Sequence, residues 1–86
     1  MTDVRLLTTA GNYAVVQLPG RHYPGIVFQG DSLSSMVSTL KEARAQIPGS
    51  SPAAASLDEV IELCDEVMAS YVAACQRHGV PLPFVK

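Results

Sequence analysis

Residues 23–33 of this chain read Tyr-Pro-Gly-Ile-Val-Phe-Gln-Gly-Asp-Ser-Leu, and this stretch decides the fold. Pro24-Gly25 favours a tight turn, because proline fixes φ and glycine accepts a positive φ. Residues 26–28 are apolar, and Ile26 and Val27 are β-branched, so residues 26–29 are predicted as a short buried strand. Asp31 suits the N-cap of a helix, where its carboxylate also faces the positive end of the helix dipole. The stretch therefore predicts a turn, a strand and a helix start in direct succession.

Two further strands are predicted upstream of this stretch. Residues 3–8 and 13–18 are rich in aliphatic and aromatic side chains, and Gly11 and Asn12 supply a turn between them. Pro19-Gly20 then supplies a second turn before the loop that leads into the third strand. Three strands joined by short connections predict an antiparallel meander.

Two helices are predicted downstream. The first covers about residues 32–47, because its apolar residues recur at helical spacing and Pro48-Gly49 then stops it. Those residues are Leu33, Met36, Val37, Leu40, Ala43 and Ile47. Residues 50–55 are interpreted as a loop, and Ser56 with Glu59 as a capping box that starts the second helix. The second helix continues for about six turns to a C-cap at Gly79, and Pro81 blocks its extension.

The second helix carries apolar and small residues outside its main stripe. They are Leu63, Ala69, Ala73 and Ala74. We expect them to contact a second surface, so the sequence predicts a homodimer or larger assembly through this helix. A chain of 86 residues that is 48% hydrophobic has much apolar surface to hide, which also favours self-association.

The predicted fold class is α+β, a single domain over residues 1–86 with the order β-β-β-α-α around a three-stranded antiparallel sheet. The tail at residues 80–86 is extended and could add a C-terminal edge strand. Pro81 and Pro83 limit it to pairing along one edge, because neither has an N–H.

Charge and hydropathy exclude several classes of protein. The net charge is −2, and the six basic residues form no cluster, so we expect no direct binding of nucleic acid. No apolar run approaches the roughly 20 residues that span a membrane, and the N-terminus lacks the pattern of a signal peptide. We expect a cytoplasmic protein without membrane contact.

Catalytic and metal-binding patterns are weak. His22 and His78 are the only histidines, and no carboxylate close in sequence would orient His22 as a general base. Cys64 and Cys75 lie eleven residues apart on one predicted helix, about 16 Å along its axis, so they cannot form a disulfide within the chain. We interpret both cysteines as small hydrophobic residues and expect no catalytic site, metal or cofactor.

The second helix begins with a cluster of acidic residues: Asp58, Glu59, Glu62, Asp65 and Glu66. A solvated helix face explains such a cluster, and an acidic docking surface for a basic partner is the functional alternative. The loop of Arg21, His22 and Tyr23, which lies between the two Pro-Gly pairs, is the second candidate for partner binding.

The order of elements and several short motifs resemble the HicB-like antitoxins, a bacterial family. The motifs are residues 13–16 on a strand, Pro24-Gly25, Gln29-Gly30-Asp31-Ser32-Leu33, Glu42-Ala43, and Gly79 followed by Pro81-Leu82-Pro83. The resemblance implies a HicB-like β-β-β-α-β domain that binds and neutralises a small basic RNA-cleaving toxin. The loop and long helix at residues 48–78 are larger than the usual connection in that family.

Two functions follow from these observations. The first is a non-catalytic protein–protein interaction module, similar to a HicB-like antitoxin, that binds a small basic toxin. The alternative is a small oligomeric ligand-binding or sensor protein, which a closed apolar pocket lined by Tyr13, Phe28 and Tyr71 would favour.

Overall fold

The computed structural model describes residues 3–8 and 11–84, which form a three-stranded antiparallel sheet followed by two helices. The strands are β1 (Arg5–Leu6), β2 (Tyr13–Gln17) and β3 (Gly25–Phe28), and the helices are α1 (Gly30–Ala45) and α2 (Pro52–Arg77). The predicted α+β class and the element order are confirmed. Residues 80–84 of the tail form no strand, in keeping with the missing N–H groups of Pro81 and Pro83.

The strands follow the order β1-β2-β3, so that β2 is central. Tyr13 lies opposite Phe28 and Val15 opposite Ile26, and paired residues share one face of an antiparallel sheet. Ala14 and Val16 therefore lie on the other face, and both are buried. We call this the inner face, and the face with Tyr13 and Ile26 the outer face.

Glycines with positive φ mark three of the predicted turns and stops. Gly20, Gly49 and Gly79 have φ values of 76°, 69° and 68°. The prediction that Gly25 also takes a positive φ in a turn was wrong. Gly25 is the first residue of β3 and pairs with Val16, so it has the extended backbone of a strand.

Helix α1 begins at Gly30, and its N-cap is Gln29, which makes no side-chain cap bond. The prediction of Asp31 as the N-cap was therefore wrong by two residues. Asp31 lies in the first turn, where its carboxylate accepts a hydrogen bond from the Ser32 N–H at 2.9 Å and still faces the positive helix end. Val37 is buried in this helix, whereas Met36 is half exposed, so the packed stripe is narrower than the sequence suggested.

Helix α2 begins at Pro52, five residues earlier than predicted. Ser51 is the N-cap, and its hydroxyl accepts a hydrogen bond from the Ala54 N–H at 3.1 Å. The capping box at Ser56 was wrong, because Ser56 lies inside the helix and donates to the Pro52 carbonyl at 3.0 Å. Proline at the first helical position and the alanines after it are favourable for helix, which explains the earlier start.

The two helices form an antiparallel hairpin. Arg44 near the end of α1 pairs with Asp58 at 2.7 Å, and Lys41 pairs with Asp65 at 2.8 Å. At the other end of the hairpin, Gly30 lies against the ring of Tyr71. Most of the buried or half-buried residues of α2 form one stripe with alternating spacings of three and four: Ala54, Leu57, Ile61, Cys64, Met68, Tyr71 and Cys75. Val72 is half-buried beside this stripe. Both cysteines are free and sit in this packed stripe, as expected for small hydrophobic residues.

The core is small. The buried hydrophobic residues of the described chain are Ala14, Val16, Val37, Ala54 and Cys75, and no large side chain is fully buried. Within residues 3–8 and 11–84, fourteen large hydrophobic residues are exposed. The accessible surface is 6690 Å², against about 4900 Å² for a compact monomer of 9.1 kDa. The radius of gyration is 15.6 Å, against about 12 Å for a compact chain of this length.

A membrane-spanning helix is not found along residues 3–8 and 11–84, since neither α1 nor α2 combines the necessary length and hydropathy.

Candidate interaction surfaces

The structure divides the predicted acidic cluster into two groups. Asp58 and Asp65 face α1 and are paired there with Arg44 and Lys41. Glu59, Glu62 and Glu66 are exposed, and their spacing of three and four residues places them on one side of α2. We call these three glutamates the acidic stripe, because they are the part of the cluster that can meet a partner.

Arg44 joins the end of α1 to α2. Its guanidinium donates to both carboxylate oxygens of Asp58, at 2.7 and 3.3 Å, and to the carbonyls of Ile47 and Gly49, at 2.9 and 3.3 Å. The hydrogen bond from Arg44 lowers the pKa of the Asp58 carboxyl, and the same bond raises the pKa of Arg44. The Arg44–Asp58 pair therefore positions the helix connection, and Asp58 is already engaged.

A second exposed stripe of α2 is apolar. Val60, Leu63, Val67 and Ala74 recur at spacings of three, four and seven residues, so they form one line along the helix. We call them the apolar stripe. It lies beside the acidic stripe, with Glu59 and Glu66 at its border. Leu63 and Ala74, which were predicted to contact a second surface, are therefore exposed together on this side of α2.

Ala69 and Ala73, which were predicted on the same second surface, lie elsewhere. They line an open groove of about 460 Å³ between α1 and α2, together with Ser34 and Ser38. The groove exists because small side chains face each other across the hairpin. The ion pair of Lys41 and Asp65 lies in its wall.

The loop of Arg21, His22 and Tyr23 is exposed and ordered by local contacts. The His22 ring lies edge-on to Tyr23, with centroids 4.6 Å apart, and the Gln17 side-chain amide donates to the Arg21 carbonyl at 2.8 Å. The shallow pocket beside the loop is lined by residues from Leu18 to Gly25 alone. The loop and the acidic stripe therefore do not share a cavity.

Metal-binding and ligand-binding arrangements are weak in the part of the chain that the structure describes. No group of three His, Cys, Asp or Glu side chains there could hold a metal ion. Tyr13 packs with Phe28, with ring centroids 6.2 Å apart, whereas Tyr71 packs with Phe84 at 6.4 Å. None of the three aromatic residues expected around a closed pocket lines the groove between the helices.

The outer face of the sheet is a surface that the sequence reasoning missed. Leu7, Tyr13, Ile26 and Phe28 are exposed there, and Val15 between them is half-buried. The β1–β2 register, continued by the hydrogen bond from the Leu7 N–H to the Val15 carbonyl, places Leu7 on this face. A signal was present in the sequence, because strands β2 and β3 lack the alternation of polar and apolar residues that a solvated face requires.

A protein-family model described as a family of unknown function, DUF6959, matches residues 1–84. The chain belongs to the DUF6959 family. No curated protein and no solved structure matches it. DUF6959 carries no assigned activity and no link to HicB-like antitoxins, so the function of this DUF6959 chain is argued from its surfaces.

Proposed function

We propose that this DUF6959 protein is a non-catalytic protein–protein interaction module that binds a small basic protein through α2. The observation that carries the proposal is the pairing of an acidic stripe with an apolar stripe on one exposed side of that helix. The resemblance to HicB-like antitoxins makes a basic toxin the partner, and neutralisation of that toxin the outcome.

The two stripes supply different parts of binding. Val60, Leu63 and Val67 offer apolar area that a partner can cover, which is where most of the affinity of a protein interface arises. Glu59, Glu62 and Glu66 attract positive charge over a distance, so they accelerate encounter and disfavour acidic partners. A basic protein with an amphipathic helix or loop matches both stripes at once.

The proposal is tested by crosslinking in the native host, with the full chain as bait and mass spectrometry as readout. We expect the captured partner to be small and basic, and to be lost when Glu62→Lys and Glu66→Lys are combined. Asp3→Lys combined with Glu42→Lys is the matched control, because it reverses two exposed charges outside α2. Equal capture by the two double variants would show that the acidic stripe is not the docking surface.

Kinetics with the purified partner complete the test. Salt screens charges beyond about 8 Å at physiological ionic strength, so the association rate should fall as salt rises. A toxin should arrest growth when expressed alone, and co-expression of the DUF6959 protein should restore growth. A rate that does not respond to salt, or a captured partner that is harmless, would contradict the antitoxin-like function.

The alternative, a small oligomeric ligand-binding or sensor protein, has its best site in the groove between α1 and α2, whose volume suits a small molecule. Ser38→Phe, which lies on α1, would fill that groove and leave both stripes of α2 unchanged. Partner capture should survive this change if α2 acts through its exposed side.

A further inference from the structure

Strand β3 has the side chains of a central strand but lies at the edge of the sheet. Its sequence, Gly25–Phe28, contains no polar side chain, and no strand among residues 3–8 and 11–84 pairs with its second edge. Ile26 and Phe28 face outward and Val27 inward, yet all three are more than 40% exposed. A strand with apolar residues on both faces is normally covered on both faces. The open edge of β3 is therefore available for pairing with another strand.

The backbone hydrogen bonds show which groups of β3 are free for pairing. The Gln29 N–H donates to the Asn12 carbonyl at 2.8 Å, one step beyond the Tyr13–Phe28 pair. In an antiparallel ladder only alternate pairs exchange hydrogen bonds, so Ala14 and Val27 form the next bonded pair. The N–H and C=O groups of Ile26 and Phe28 consequently point away from β2.

The other side of β2 obeys the same alternation. The Leu7 N–H donates to the Val15 carbonyl at 2.9 Å, so Val15 directs its backbone carbonyl towards β1 and not towards Ile26. Two independent hydrogen bonds thus agree that Ile26 presents its backbone to the open edge.

We propose that β3 pairs antiparallel with β3 of a second copy about a two-fold axis, which makes one continuous six-stranded sheet. The pairing places Val27 opposite Val27 of the partner subunit, and Ile26 opposite Phe28 of the partner subunit. Each Ile26–Phe28 pair exchanges two hydrogen bonds, so the contact contains four. Pro24, which has no N–H, and Gly30, where α1 begins, limit the register on either side.

The distribution of charged side chains favours a second copy of the chain as the partner of β3. The strand has no charged side chain, so two copies oppose no like charges and nothing protects the edge from pairing. The apolar stripe of α2, which the sequence predicted as the surface for self-association, is bordered by Glu59 and Glu66. A second copy there would bring the same negative charges, whereas a basic partner would not.

The exposed area also fits this arrangement. The chain exposes roughly 1800 Å² more than a compact monomer of its mass, and a standard interface covers about 800 Å² on each partner. The surplus is large enough for a contact between copies at β3 in addition to a partner surface on α2.

The test uses three positions with nearly equal exposure. Ile26 and Tyr13, at 63% and 62%, both lie on the outer face, Ile26 on the edge strand β3 and Tyr13 on the central strand β2. Leu63, at 61%, lies in the apolar stripe of α2. The variants are Ile26→Lys, Tyr13→Lys and Leu63→Lys, with Ile26→Pro added because proline removes only the N–H that points away from β2. Sedimentation equilibrium of the full chain measures the mass, and circular dichroism checks the fold.

We expect a dimer of twice the 9.1 kDa chain for the wild type, Tyr13→Lys and Leu63→Lys. The dissociation constant should rise roughly ten- to hundredfold in Ile26→Pro, which loses two of four hydrogen bonds, and Ile26→Lys should be monomeric. A monomeric wild type, an Ile26→Pro dimer of unchanged affinity, or dissociation by Leu63→Lys alone would overturn the proposal.

Hydrogen exchange on the wild type keeps the test valid if a variant fails to fold. The amides of Ile26 and Phe28 should be protected at high protein concentration and should lose that protection on dilution. Rapid exchange of both amides at every concentration would also overturn the proposal. Ile26→Pro should still capture the basic partner, so failure of the β3 contact and failure of the proposed function give different results.

Discussion

Gly30 lies at a close approach of α1 to α2. It is buried at the first position of α1, and a Cβ atom built on it would overlap the ring of Tyr71. The backbone there needs no positive φ, so the reason for glycine is space. We expect Gly30→Ala to lower the free energy of unfolding by about 1–3 kcal/mol, as overpacking does, in urea denaturation.

A double mutant isolates the cause of that loss. Tyr71→Leu removes the ring atoms that an added Cβ would meet, so Gly30→Ala should cost much less in that background. If the two changes are simply additive, the close approach to Tyr71 is not what requires glycine.

The pair of Asp58 and Arg44 makes stability depend on pH in acid. The hydrogen bond from Arg44 lowers the pKa of Asp58 in the folded state, whereas the unfolded carboxyl has a pKa near 3.9. The stabilisation is therefore complete above about pH 4–5 and is lost as pH falls through the lowered folded pKa. Urea midpoints of the wild type and Asp58→Asn should differ by a constant amount near neutrality and converge below about pH 4. A constant difference in stronger acid would contradict the lowered pKa.

At the scale of the element, the start of α2 depends on one serine out of two candidates. Ser51 accepts the hydrogen bond of the Ala54 N–H, so Ser51→Ala should cost about 1 kcal/mol in thermal or urea denaturation. Ser56 is exposed inside the helix and donates only to a carbonyl of the preceding turn, so Ser56→Ala should cost nothing measurable. The reverse order of the two effects would mean that the helix begins at Ser56.

The strands and helices were predictable as elements, while their ends and exposure were not. Ser51-Pro52 and Ser56 to Glu59 are both valid start signals. The helix propensity of residues 52–55, together with the complete burial of Ala54, favours the first. β3 was predicted as buried because its residues are all apolar. The folded chain leaves it half exposed, since no described element lies beyond it in the sheet.

For the candidate site, too, the sequence shows which residue types are present, and the fold decides which of them are exposed and unpaired. The acidic cluster of α2 is visible in the sequence, but which members are free depends on the partners that α1 brings alongside. Arg44 and Lys41 engage Asp58 and Asp65, and this pairing follows from the antiparallel hairpin, which composition does not encode. The sequence thus indicates where charge lies on the helix, and tertiary contact decides how much of it can meet a partner.

For the whole molecule, we expect association to contribute to folding stability, because the core is small. Residues 3–8 and 11–84 include five buried hydrophobic residues and fourteen large exposed ones, so few apolar contacts oppose the entropy of the unfolded state. If folding and pairing of two copies are one equilibrium, the melting temperature must rise with protein concentration. For a dimer of this size, each tenfold increase in concentration should raise it by on the order of 3–6 °C.

Scanning calorimetry over a hundredfold range of concentration measures this dependence. Leu63→Lys should retain it, because the proposed contact between copies is at β3, and Ile26→Pro should melt at a lower temperature with a weaker dependence on concentration. A wild-type melting temperature that is the same at every concentration would show that the five buried hydrophobic residues and the helix hairpin suffice. The exposed edge of β3 would then have no part in folding, and the surplus surface would be available only to other partners.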